Sequence, residues 1–198
     1  DGQVLTSTGA GSPPAFENAG GAWSFVSTAV ASSSSTIELT GIDNTSDLWM
    51  VVISGSNVSN DVTTINCRTS NDTSSWSYDS GGSDYSWNYQ GAASGTGYAK
   101  ADSSDSEITL GEDPFTMGND ATNSWSGFVY LHAPSVTTYD TQLSWLTVQM
   151  SNAADPAPQV IHGTGLRKAA EAVTAIQFYM SAGSFDTGRF SLYKLAHA

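Results

Sequence analysis

From Trp23 onward the chain is a succession of short runs in which apolar and polar residues alternate, broken by Gly, Asn, Asp and Ser. Trp23–Val30 and Thr36–Thr40 carry the two-residue period of a strand, with Ile37 and Leu39 on one face and Glu38 on the other. Residues 48–54 form a continuous apolar run, which predicts a central strand covered on both faces. The same reading predicts strands over 63–69, 107–110, 127–133, 143–150, 159–163, 172–180 and 189–195. One more lies around Tyr85, Trp87 and Tyr89, inside a Ser/Asn/Gly/Tyr-rich stretch from 70 to 97. Over 166–173, Leu166, Ala169, Ala170 and Val173 keep helical spacing, but eight residues do not sustain a helix alone, so a turn entering a strand is expected. About eleven short strands separated by polar turns, with no strand–helix alternation, make an all-β sandwich or barrel.

Composition sharpens this. A chain of 198 residues and 20.7 kDa suits one domain behind a short leader. A monomer of that size buries roughly 70% of its unfolded surface, enough for a core without staples. The lone cysteine, Cys67, shares a strand face with Ile65 and Thr69 and is read as a buried thiol. Asp and Glu number 19 against 6 Lys and Arg, a formal net charge of −13. That balance argues against a nucleic-acid partner, which needs clustered cations, and against an anionic membrane surface. No run approaches the roughly 18 to 20 apolar residues that span a bilayer, so no membrane insertion is expected. The three Asn-x-Ser/Thr sequons, at Asn44, Asn57 and Asn71, are put down to chance in a Ser/Thr-rich chain.

Candidate chemistry is sparse. There is no nucleophile elbow and no zinc-protease motif, and His132, His162 and His197 are far apart. Glu38 and Glu107, the acids placed on strands, are the pair that a glycan-cleaving reading would use. The acidic runs at 102–107 and 43–47 lack the pattern of a calcium loop and are read as solvated. No catalytic residue, metal ligand or cofactor is assigned. The aromatics are the better lead: Trp76, Tyr78, Tyr85, Trp87 and Tyr98 fall close together among Ser, Asn and Gly. Flat rings stack on sugar faces while Asn, Asp and Ser reach hydroxyls, and these five are the candidate ligand-binding residues. Against this, Tyr85, Trp87 and Tyr89 alternate as core-facing strand residues do.

The first residues, Asp1-Gly2-Gln3-Val4-Leu5-Thr6-Ser7-Thr8-Gly9-Ala10-Gly11-Ser12-Pro13-Pro14-Ala15-Phe16, build no core of their own. They resemble the G-Q-V-L-T-S-x-G-A-G connector that precedes small β-domains in tailed-phage fibres and other virion appendages. Tyr78–Trp87, residues 127–134, 175–183 and 187–195 are similar to segments of such fibre domains. The resemblance implies residues 1–22 as an extended connector and oligomerisation leader, and 23–198 as a jelly-roll or lectin-like β-sandwich. It further implies a virion, extracellular location, and host attachment through a cell-surface glycan or protein. Other virion proteins would join on the N-terminal side. A chain that does not begin with Met is read as a segment of a longer polypeptide. Val4, Leu5 and Phe16 cannot be buried by one thin leader but could be by three meeting on an axis, which points to a homotrimer. Two alternatives stand beside attachment: a purely structural capsid or tail decoration, and a polysaccharide depolymerase.

Overall fold

The computed structural model describes residues 3–6, 15–18, 22–61, 63–93, 96–111, 117–150 and 158–196. The molecule is an all-β sandwich. In the leader, β1 (Gln3–Thr6) and β2 (Ala15–Asn18) pair antiparallel, with Leu5 opposite Phe16. The side chains of Val4, Leu5 and Phe16, and His197 as a whole, lie outside the described part of the chain.

Twelve strands build the body: β3 (Trp23–Val30), β4 (Thr36–Thr40), β5 (Leu48–Val58), β6 (Ile65–Ser70), β7 (Tyr85–Ala93), β8 (Thr96–Asp105), β9 (Ile108–Gly111), β10 (Trp125–His132), β11 (Gln142–Met150), β12 (Pro158–Arg167), β13 (Ala175–Met180) and β14 (Phe185–Leu195). The large sheet runs β3-β14-β5-β10-β11-β12-β7-β8 and the small sheet β4-β13-β6-β9, antiparallel throughout. Set aside the hairpins β7–β8 and β11–β12, and the other eight strands step from sheet to sheet in the orders β3-β14-β5-β10 and β4-β13-β6-β9. That is the double Greek key of a jelly roll. The two hairpins then dock beside β10 and double the width of one sheet only.

The core fills the space between the layers. Trp49, Val51 and Ile53 of β5 and Phe190 and Leu192 of β14 face Leu39, Cys67, Ile108 and Phe178 of the small sheet, all essentially inaccessible. Phe190 sits at the centre, its ring 5.3 to 6.0 Å from those of Phe185, Phe178 and Trp125. Each such side chain contributes roughly 1.5–3 kcal/mol by leaving water. Under the extension, Trp145 donates from Nε1 to the Leu110 carbonyl at 3.2 Å. A Cβ on Gly163, its partner across β12, would come within 2.3 Å of the Trp145 ring, so only glycine lets the indole lie flat there. Arg167, 1% exposed, ties the loop carboxylate of Asp79 (2.6 Å) to that of Glu171 (3.1 Å) and pins the turn after β12.

Over 166–173 the expected turn into a strand is present without a helical turn: β12 continues to Arg167 and the chain then bends toward β13, with Val173 buried. Two elements differ from the sequence reading. The strand β8 was not anticipated, because its Gly, Ala, Ser and Asp offer no apolar alternation; backbone pairing to β7 holds it as an edge. Finally, the apolar run of β5 is covered on one face only. Trp49, Val51 and Ile53 are buried, whereas Leu48, Met50 and Val52 point outward and are half-buried.

Candidate functional site: a polar hollow on the broad sheet

Antiparallel register fixes which outward side chains meet across the extension. Tyr130, Ser144, Thr164, Asn88 and Ala101 form one row across β10, β11, β12, β7 and β8; His132, Gln142, Leu166 and Ser86 form the next. Between these rows the sheet surface opens into a hollow of about 550 Å3. Its walls carry the amides of Asn88 and Gln142, the hydroxyls of Ser86, Ser144 and Thr164, the imidazole of His132 and the carboxylate of Asp102. Leu143, Leu166 and Ala101 supply apolar ground between them.

Two contacts order these groups. His132 Nε2 lies 2.8 Å from Ser144 Oγ, and Asn88 Nδ2 donates to Thr164 Oγ1 at 3.1 Å. Among the described residues no carboxylate hydrogen-bonds His132, so the pair lacks the third member that orients a serine triad. A ring of donors and acceptors around small apolar patches suits a polyhydroxylated ligand, whose hydroxyls need partners and whose C–H faces need cover. A shallower hollow of about 460 Å3 adjoins it, with Tyr98, His162, Gln90 and Val160 in its lining.

The five aromatics singled out from sequence are dispersed. Tyr85 is fully buried, and its hydroxyl accepts from the Thr69 N–H at 2.9 Å, joining β7 to the small sheet. Burial pushes its pKa up to about 12, against the lowering effect of the Thr69 hydrogen bonds. Trp87 is 6% exposed, stacks on Tyr89 at 5.6 Å and donates from Nε1 to Asp105 Oδ2 at 2.9 Å. Only its margin reaches the hollow. For Tyr85 and Trp87 the ligand-facing role gives way to packing, because both rings point to the inner side of β7. Trp76 and Tyr78 lie half-buried in the loop before β7, and burial raises the Tyr78 pKa, with the charge of Glu38 adding to it. Tyr98, 40% exposed, is the one of the five that offers a substantial ring to solvent.

His132, Ser144, Gln142, Asn88 and Thr164 were not singled out from sequence as a site. Each is an ordinary polar position on the outward side of a strand, and only the order β10-β11-β12-β7 gathers them. Glu38 and Glu107 sit elsewhere, on the outer side of the small sheet. Glu38 accepts from Gln177 Nε2 at 2.9 Å, while Glu107 pairs with Arg68 at 2.9 Å and accepts from the Tyr179 hydroxyl. They stand on the two edges of that sheet, their backbones about 14 Å apart by strand spacing. Of the acidic runs, Asp102 caps the Ser104 N–H at 2.8 Å, and Asp43 is drawn to Lys194 at 3.6 Å. Among the described residues no three His, Cys, Asp or Glu gather as metal ligands.

Comparison with protein-family models, curated proteins and solved structures finds no match.

Proposed function

We propose that this chain is a phage virion fibre domain that attaches to the host through a cell-surface glycan held in the hollow between Asn88, Gln142, Ser144 and Thr164. Three copies are joined in this reading, with the Val4, Leu5 and Phe16 leaders meeting on the axis and other virion proteins on the N-terminal side. The observation that supports it is the hollow's lining, amides and hydroxyls around apolar ground. The placement on a virion rests on the N-terminal connector and the fibre-like segments. The fold by itself says nothing of function.

The test is binding to a panel of bacterial surface polysaccharides, and to host cells before and after periodate oxidation. Saturable binding that periodate removes is expected, with Asn88→Ala and Gln142→Ala together reducing it at least about tenfold while the fold is retained. Binding that survives periodate replaces the glycan by a protein receptor, and binding indifferent to the two substitutions moves the site away from the hollow. A purely structural role in a fibre or capsid decoration is favoured by a different observation, the apolar outer surface of the broad sheet, and no binding at all by a well-folded protein selects it.

A further inference from the structure

We infer that the outer face of the β3-β14-β5-β10-β11-β12 sheet is the surface on which a second copy of this chain seats. The inference rests on the self-association proposed above, not on the glycan, and assigns the main contact to the body rather than to the leader.

Three rows of six outward positions cross this face; Ser144 and Thr164, at the end of the first, line the hollow assigned to the glycan, so the contact between copies is assigned to the remaining positions. Phe25, Tyr193, Met50, Tyr130, Ser144 and Thr164 make the first, and Thr28, Ser191, Val52, Phe128, Leu146 and His162 the second. Val30, Arg189 and Ser54 and, past a break in register between β5 and β10, Ser126, Val148 and Val160 make the third. Phe25, Val30, Phe128, Leu146, Val148 and Val160, between 38% and 60% exposed, are six of the eight large hydrophobics most open to solvent among the described residues. Contiguous apolar surface of this kind marks contact sites. The run 48–54 adds a second sign. Its sequence is that of a strand covered on both sides, and the protomer covers only Trp49, Val51 and Ile53.

Charge identifies the occupant. The chain carries a formal −13, yet none of these eighteen positions is Asp or Glu, and Arg189 is the one charged residue among them. Two like charges 4 Å apart near a protein surface repel by about 4 kcal/mol, so identical acidic chains associate where no carboxylates oppose one another. A basic partner would find no anion here to pair with. Six strands at about 4.8 Å and outward rows spanning five residues at about 3.3 Å give a plate of roughly 480 Å2. A standard interface uses roughly 800 Å2 of accessible surface per partner, and side-chain relief adds to a flat plate.

Sedimentation equilibrium on the full chain decides it, with near-ultraviolet circular dichroism as the check on folding. The wild type is expected to be an oligomer at about 10 μM, and Val148→Asp and Leu146→Lys to be folded monomers at that concentration. The leader variant Val4→Ser/Leu5→Ser/Phe16→Ser is expected to stay assembled. A monomeric wild type, face variants that remain oligomeric, or a leader variant that falls to monomers each overturns the inference. Salt gives a reading that needs no variant: association tightens from about 0.02 to 0.5 M NaCl because the charge of the copies is screened, and weakening would overturn it as well. Glycan binding, measured separately on the monomeric variants, keeps a failure of the attachment reading distinct.

Discussion

The two sheets of this sandwich share one core and present opposite surfaces. The outer side of the small sheet is an ionic and hydrogen-bonded lattice: Gln177 reaches Glu38, and Arg68 lies 4.6 Å over the Tyr179 ring while pairing with Glu107. Glu38, Arg68 and Glu107 each have a partner across the sheet, and water finishes the solvation. The outer side of the broad sheet carries Phe128, Leu146, Val148 and Val160 with no carboxylate among its three central rows. Both layers obey the same alternation, so the contrast lies wholly in which side chains fill the outward half of the pattern. An acidic chain that keeps carboxylates off one broad apolar face has a surface that water does not fully satisfy.

The sharpest way to break this contrast is to exchange the character of the two faces. Leu146→Glu is expected to weaken self-association at least about 100-fold, about 2.7 kcal/mol by the affinity relation, whereas Gln177→Leu on the small sheet leaves it within about twofold in the same sedimentation measurement. An equal loss from both would erase the distinction between faces. Next in size is the tie between the layers. Tyr85→Phe leaves the Thr69 N–H buried and unpaired and is expected to cost about 1–3 kcal/mol in urea unfolding. The same hydroxyl gives a pH signature. Its folded pKa is pushed up to about 12 from the ordinary tyrosine value of about 10, so this contribution is complete below pH 10 and is lost as the unfolded chain ionises first between about pH 10 and 12. Tyr85→Phe should flatten that part of the stability–pH curve. The smallest effects belong to the lattice. Glu107→Gln, which unpairs Arg68 at a site about a quarter exposed, is expected to cost at most about 1 kcal/mol after solvent screening. Glu38→Gln, at an exposed position, should stay within about 0.5 kcal/mol. A cost above 2 kcal/mol for either would mean that this face is doing more than meeting water.

Much of the fold was legible along the chain because strand formation is a local matter of period and punctuation. Trp23–Val30 and Thr36–Thr40 are strands over the residues their alternation marks, and Cys67 is buried as its place beside Ile65 requires. The edge strand β8 escaped because backbone hydrogen bonds to β7, rather than apolar burial, hold it in place. The aromatics between 76 and 98 misled for a physical reason. The composition of a binding loop and that of a Tyr/Trp-rich inner strand are alike, and only the side of the sheet separates Tyr85 and Trp87 from Tyr98.

By itself the sequence determined that this chain is an all-β sandwich with a real core, an acidic composition and no apolar run of membrane-spanning length. Each of those follows from composition or from contacts between residues close in the chain. The tertiary structure alone decided that β7–β8 and β11–β12 dock beside β10, bringing Asn88, His132, Ser144 and Thr164 from remote segments into one hollow. It alone decided that the outward halves of six strands merge into one face without carboxylates among its three central rows. Strand order and register are set by how whole layers pack, and a two-residue period leaves both open.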